Sequence, residues 1–281
     1  MKLIIHGGFF SESSQSAETK LAKQNALKRI AASSFEYLKT HTAFETVIYA
    51  VEQLENDELF NAGIGSQIQS DGKIRMSASV MDGKSLKFSG VINIEEVKNP
   101  IRVAEELFGY DDRVLGGEGA IDFARKNGFD KFSTEIPQRR KEYEEKLKAK
   151  KATSTVGCVA LDSNGNIAAA TSTGGKGFEI PGRISDSATT AGNFANAFCG
   201  VSCTGVGEDI VSTAIATKIV TRVTDGMPIA KAFEKSFGEL KVFDGFAGCI
   251  AIDKHGNIYH QDSHPSMVFA SYDGSNYEIF N

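Results

Sequence analysis

The chain has 281 residues, with 31 Lys or Arg against 36 Asp or Glu, a formal net charge of −5 at neutral pH. Hydrophobic residues make up 41% and charged ones 24%, which suits a folded globular chain and excludes wholesale disorder. An acidic balance with no basic stripe argues against a nucleic-acid partner, and no stretch nears the roughly 18 apolar residues of a membrane span.

In chain order, Met1 to Gly8 breaks too soon for a signal peptide and reads as a first strand entering a glycine turn, so a cytoplasmic location is expected. Residues 17–39 carry Leu21, Leu27, Ile30, Ala31 and Phe35 near helical spacing, and residues 42–54 carry Val47, Ile48 and Val51 on one side; both predict helices. Gly63 and Gly65 then mark an irregular loop. Residues 75–80 and 88–94 alternate like paired strands joined across Asp82 and Gly83. Asn99 and Pro100 open another helix, and a short one covers 120–125.

Residues 134–153 are crowded with Arg, Lys and Glu, the mark of a solvated helix or a disordered linker. At Thr155 the text turns to two core strands joined by an Asn164-Gly165 hairpin. The wording of 157–167 returns at 248–258, which predicts two equivalent hairpins in facing sheets or adjacent strands. Between them lie a strand over 198–204 and helices over 208–223 and 229–240. The order does not alternate strand and helix. It predicts an α/β (α+β) fold in which two largely antiparallel sheets are flanked by helices.

The common motifs fail. Gly200 to Thr204 lacks the closing glycine of a nucleophile elbow, Gly174 to Gly177 lacks phosphate-loop spacing, and Gly117 to Gly119 lacks a third dinucleotide glycine. His6, His41, His255, His260 and His264 show no zinc-ligand spacing, so no catalytic metal is expected. Cys158, Cys199, Cys203 and Cys249 form no CxxC pair and are expected as reduced core residues.

Hydroxyls crowd one strand pair: Thr153, Ser154 and Thr155, then Thr171, Ser172 and Thr173 before Gly174 and Gly175. A charged segment running straight into a strand-leading threonine is a place where a chain can be cut. A cut before Thr155 would give it a free α-amino group with an ordinary pKa of about 7.7–8.0, a general base attached to the nucleophile itself. No histidine is then needed.

These residues carry a resemblance. The sequence is similar to the plant-type (type 2) L-asparaginase and isoaspartyl peptidase family of N-terminal nucleophile hydrolases, over most of the chain. The matching blocks are 5–8, 59–65, 81–83, 98–101, 155–157, 170–175, 181–187, 191–192 and 201–208, in the family's order and spacing. The resemblance implies a four-layer αββα sandwich and a single domain over 1–281. That domain would be self-cleaved between Ser154 and Thr155 into chains 1–154 and 155–281, then assembled as a dimer of αβ units.

It further implies Thr155 as nucleophile, Thr173 as its orienting neighbour, and Asn61 beside it. Arg183 would fork onto the substrate α-carboxylate and Asp186 would accept the α-ammonium. Thr204 and Gly205 would form the oxyanion hole, with Gly207 allowing close backbone approach. Backbone carbonyls of Leu54, Glu55, Asp57, Phe60, Ala62 and Ile64 would hold a structural sodium ion. The implied activity is hydrolysis of L-asparagine and β-aspartyl dipeptides. Glycosylasparaginase-type hydrolysis and a non-catalytic homologue binding a small amino-acid ligand are the alternatives. Phe9, Phe10, Ser185 and Thr190 depart from the family pattern and are expected to crowd the cleft.

Overall fold

A computed structural model describes residues 1–10, 16–146, 155–264 and 266–280. The stretch 147–154, with Ser154 and the end of the charged segment, lies outside these residues.

Strand β1 (Lys2–Phe9) leads into helix α1 (Ala17–Leu38), whose first turn is capped by the Ser16 hydroxyl accepting from Thr19 N at 3.2 Å. Helix α2 (Ala43–Glu55) starts in a capping box between Thr42 and Glu45. Strands β2 (Met76–Asp82) and β3 (Lys87–Ile94) pair antiparallel. Their connection is residues 83–86 rather than a tight two-residue turn, because the Asp82 carboxylate gathers Lys84 N, Ser85 N and the Ser85 hydroxyl. Helix α3 (Pro100–Leu107) has Pro at its first position, followed by β4 (Val114–Gly116), α4 (Gly117–Lys126) and α5 (Pro137–Lys146).

The second half comprises β5 (Val156–Leu161), β6 (Ile167–Thr173), β7 (Asn193–Ala195), β8 (Cys199–Gly205), α6 (Gly207–Thr213), α7 (Ile215–Thr224) and α8 (Ile229–Leu240). Strands β9 (Ala247–Asp253), β10 (Ile258–Asp262), β11 (Met267–Tyr272) and β12 (Tyr277–Ile279) complete it. One sheet has the order β12-β11-β1-β5-β6-β2-β3-β4, antiparallel except for β3 with β4; the other is antiparallel β10-β9-β8-β7. Helices α1, α2 and α3 pack on the large sheet and α6, α7 and α8 on the small one, while β1, β5 and β6 face β8, β9 and β7. Four layers result, α, β, β, α, as expected. Strands β5 and β6 are covered on both faces, so every residue in them is buried and their sequence reads as an unbroken apolar and hydroxyl run rather than an alternation.

The two related hairpins lie in facing sheets. In each, one aspartate oxygen accepts two backbone N–H groups of the turn: Asn164 and Asn166 on Asp162, His255 and Asn257 on Asp253, all at 2.9–3.0 Å. The expected helix over 208–223 is broken at Ala214, which sits at φ 49°. The Thr213 hydroxyl bonds back to Asp209 O, while Ala216 N donates to Ala191 O and the Thr217 hydroxyl to Thr190 O. The new helix start is thus tied to the 190–191 loop. Leu21, expected on the buried side of α1, is exposed.

The charged segment is a helix as far as Lys146, and it is docked. Arg139 Nε donates to Gly65 O at 2.7 Å and the Tyr143 hydroxyl to Ser70 O at 3.2 Å. All four cysteines are free and buried. No helix among the described residues is long and apolar enough to cross a membrane.

Candidate active site

Thr155 stands at the head of β5, buried, with its hydroxyl donating to Thr173 Oγ1 at 3.2 Å. Antiparallel pairing of β5 with β6 brings the two threonines together, although they are 18 residues apart in sequence. Gly175 N also donates to Thr173 Oγ1, at 3.1 Å, so that oxygen is fixed from two sides.

Next to Thr155 lies a chain of side chains that the sequence did not bring together. His6 Nδ1 is 3.1 Å from the Thr155 carbonyl oxygen and Nε2 is 3.0 Å from Ser202 Oγ. A carbonyl only accepts, so Nδ1 carries the proton and Nε2 of the neutral ring accepts from Ser202. Ser202 Oγ in turn takes the Thr171 hydroxyl at 2.7 Å. Burial drives the His6 pKa down to about 3, against the backbone bond to Thr155. The ring stays neutral and keeps this tautomer. A side chain at Gly157 would collide with Ser202 Oγ and His6 Nε2, so glycine there is what lets β5 lie against this chain.

Arg183 and Asp186 line the same cleft as Thr155, together with Ser185, Gly205 and Gly207. Arg183 is gripped side-on by Glu208, with Nε to Oε1 at 2.8 Å and Nη2 to Oε2 at 2.9 Å. The Glu208 carboxyl is held down at about 2, chiefly by that bond. The guanidinium has five N–H donors and Glu208 uses two, so its end-on face keeps a fork for a second carboxylate. Asp186 is buried, and desolvation lifts its carboxyl to about 7 although Arg183 opposes this. Its Oδ2 has no hydrogen-bond partner among the described residues.

Thr204 and Gly205 end β8. The Thr204 hydroxyl is buried and likewise without a partner among the described residues, an arrangement that costs about 1–3 kcal/mol unless something supplies one. Gly205 takes φ 139°, where a side chain would meet Phe246 O. Thr204 borders the cleft through Gly205, its neighbour in β8, which lines it, and Asn61 is buried beside the glycines that follow β6. Asn61 Nδ2 donates to Gly175 O at 2.5 Å and Gly174 N to Asn61 O at 3.0 Å, so Asn61 fixes the glycines that fix Thr173.

The six residues expected to offer carbonyls to a cation run from the end of α2 into the following loop. Leu54 O accepts from Asp57 N at 3.3 Å and from Asn56 N, while Glu55 O accepts from Ile64 N at 2.7 Å and Asp57 O from Phe60 N at 3.1 Å. The Glu58 and Phe60 carbonyls both stand 2.9 Å from where a Gly65 side chain would begin. Such all-oxygen surroundings fit a hard cation. The Glu55 carboxyl points elsewhere: it accepts from Ser172 Oγ at 2.6 Å and Ile101 N at 3.1 Å, and burial pushes it up to about 8. Among the described residues no three His, Cys, Asp or Glu side chains gather as a metal site.

Phe9 and Phe10 do not crowd the cleft. Both are buried in the core, Phe9 against Phe246 with ring centroids 4.4 Å apart. Ser185 does line the cleft, and Thr190 offers its carbonyl to α7. The sequence reading missed the parts played by His6, Ser202, Thr171 and Glu208. His6 and Glu208 stood within quoted motif blocks, but their partners are 149 and 25 residues away in sequence.

A family model described as asparaginase matches residues 1–280. The chain belongs to this asparaginase family. Among its relatives, a protein named isoaspartyl peptidase/L-asparaginase from Synechocystis sp. is 42% identical over 98% of this chain and 88% of the relative. An isoaspartyl peptidase from Escherichia coli is 36% identical over 91% of this chain and 88% of its own length. A plant-type L-asparaginase from Pyrococcus furiosus is 33% identical over 95% of each. The family read from the motif blocks is therefore borne out across the whole chain.

Proposed function

We propose that the protein is a self-processing amidohydrolase acting on L-asparagine and β-aspartyl (isoaspartyl) dipeptides. The observation that carries the reading is the 3.2 Å contact of Thr155 and Thr173 in one cleft with Arg183 and Asp186. In the maturation step, Thr155 Oγ attacks the Ser154 carbonyl and the peptide C–N bond breaks, leaving an ester and the Thr155 α-amine. Water then hydrolyses the ester, giving chains 1–154 and 155–281.

In turnover the α-amine takes the Thr155 hydroxyl proton as the oxygen attacks the substrate β-carbonyl. The open fork of Arg183 holds the substrate α-carboxylate and the Asp186 carboxylate, in the same cleft, accepts its α-ammonium. The Thr204 hydroxyl and Gly205 N–H receive the oxyanion, a contribution of about 2.7–4 kcal/mol per donor in other hydrolases. Ammonia or an amino acid leaves with the proton. Water then releases aspartate from the β-aspartyl-Thr155 ester.

The same reading has the protein as a cytoplasmic dimer of αβ units with no catalytic cofactor. A sodium ion on the carbonyls after α2 would brace the loop that carries Asn61. Thermal unfolding in sodium chloride against choline chloride tests that ion, with a higher midpoint expected in sodium. The activity itself is tested by following ammonia release from L-asparagine and leucine release from β-aspartyl-leucine. Wild-type protein is expected to hydrolyse both, and Thr155→Ala neither; hydrolysis by that variant would remove the nucleophile assignment.

A further inference from the structure

A positive charge hangs over the cleft that the hydrolysis of asparagine does not use. Lys176 lines the same cleft as Thr155 and follows directly on Gly175, whose N–H is bonded to Thr173 Oγ1 and whose carbonyl is held by Asn61. Its Nζ reaches Glu208 Oε1 at 3.2 Å, the same oxygen that takes Arg183 Nε at 2.8 Å. Two nitrogens at those distances from one oxygen stand no more than about 6 Å apart. Glu208 thus serves as a shared anion between two cations, and the trio keeps one net positive charge facing the cleft.

Resting on the activity proposed above, we infer that Lys176 recognises the free carboxylate of the amino acid released from a β-aspartyl dipeptide, making the site selective for dipeptides over asparagine. L-Asparagine is a zwitterion of net charge zero whose leaving group, ammonia, offers nothing to a cation. A β-aspartyl dipeptide with a neutral second side chain carries one further carboxylate. Its two carboxyl carbons are six bonds apart, roughly 7 Å at full extension. Cations no more than about 6 Å apart can therefore engage both ends of one substrate. Lys176 spends one of its three N–H donors on Glu208, leaving two for a ligand. Because Glu208 grips Arg183 side-on, the α-carboxylate can occupy the open fork without releasing Glu208, so Lys176 stays in place while substrate is bound.

The test compares kcat/KM of wild type, Lys176→Met and Lys176→Arg on three substrates: L-asparagine, β-aspartyl-leucine and β-aspartyl-leucinamide, which lacks the second carboxylate. Wild type is expected to favour the acid over the amide by about 5- to 10-fold, the size of a partly exposed charge pair. Lys176→Met should erase that preference while leaving asparagine and the amide within about twofold, and Lys176→Arg should restore it. An equal loss on all three substrates would make Lys176 a support for Glu208 and overturn the inference. So would a wild type that does not distinguish acid from amide, with the hydrolase reading left standing. Failure of the wild type on every substrate would instead strike the hydrolase reading, and this inference with it.

Discussion

His6 holds Thr155 by its backbone, Nδ1 donating to the Thr155 carbonyl oxygen across 3.1 Å. The bond runs between adjacent strands β1 and β5, which pair His6 with Gly157, and it fixes the residue at the head of β5 from behind while Thr173 fixes its hydroxyl from the side. Burial keeps the imidazole neutral, so that Nε2 can at the same time accept from Ser202.

That neutrality makes stability depend on pH. His6 in the folded protein gains a proton only near pH 3, against 6.5 for the ordinary side chain. The depressed histidine contributes its full stability above pH 6.5, and that share is lost as pH falls toward 3, by about 1.4 kcal/mol per pH unit. Urea unfolding at pH 7.0 and pH 5.0 should show a larger drop for the wild type than for His6→Gln, whose amide can still donate to Thr155 O. Equal drops would mean that His6 is not buried neutral.

On the proposed reading, Asp186 makes activity fall on the acid side as well. Its carboxyl, lifted to about 7, must be ionised to accept the substrate ammonium, while the Thr155 α-amine must be neutral to act as base. Two protons must therefore be lost, so log kcat/KM should fall with a limiting slope of 2 on the acid side. Asp186→Asn should be slower throughout and fall with a slope of 1. A slope of 1 in the wild type would remove Asp186 from the substrate site.

Arg183→Lys keeps a charge but loses both the grip of Glu208 and the open fork. The expected loss is about 10- to 100-fold in kcat/KM on L-asparagine, with thermal stability changed little, since the pair lies at the cleft surface. Steady-state kinetics alongside calorimetry separates this from unfolding. Unchanged kinetics would place substrate recognition elsewhere.

The paired hairpins give a comparison within one molecule. Asp162 and Asp253 hold matching turns, but Asp162 also accepts Ala43 N at the start of α2, at 3.2 Å. Asp162→Ala should therefore cost more than Asp253→Ala, by about 1 kcal/mol on top of a loss of about 2 kcal/mol common to both. Urea unfolding of the two variants under the same conditions measures the difference; a greater cost at Asp253 would contradict it.

Much of this was legible from residues alone, for reasons that are local. Pro100 at a helix start and the Asn-Gly turn after β5 each write their geometry into adjacent positions. The break at Ala214 was not legible, since nothing in the apolar pattern of 208–223 betrays a helix start fastened to Ala191 O. The same holds for the site. Thr155, Thr173, Arg183 and Asp186 were named from motif blocks, and the fold brings them to one cleft. His6, Ser202 and Thr171 form a chain across two sheets, which sequence spacing cannot reveal. The docking of α5 on the 65–72 loop was hidden too, because its arginines read as a solvated face until Gly65 O is placed beside Arg139.

The central claim is that Thr155 becomes the first residue of a second chain. Intact-mass measurement of purified wild-type protein after incubation at neutral pH, set beside Thr155→Ala, tests it most directly. Wild type is expected to resolve into two polypeptides, one ending at residue 154 and one beginning at Thr155, with hydrolysis of β-aspartyl-leucine rising as they form, and the variant to stay one chain. A wild type that remains one chain yet hydrolyses the dipeptide at a constant rate would contradict it.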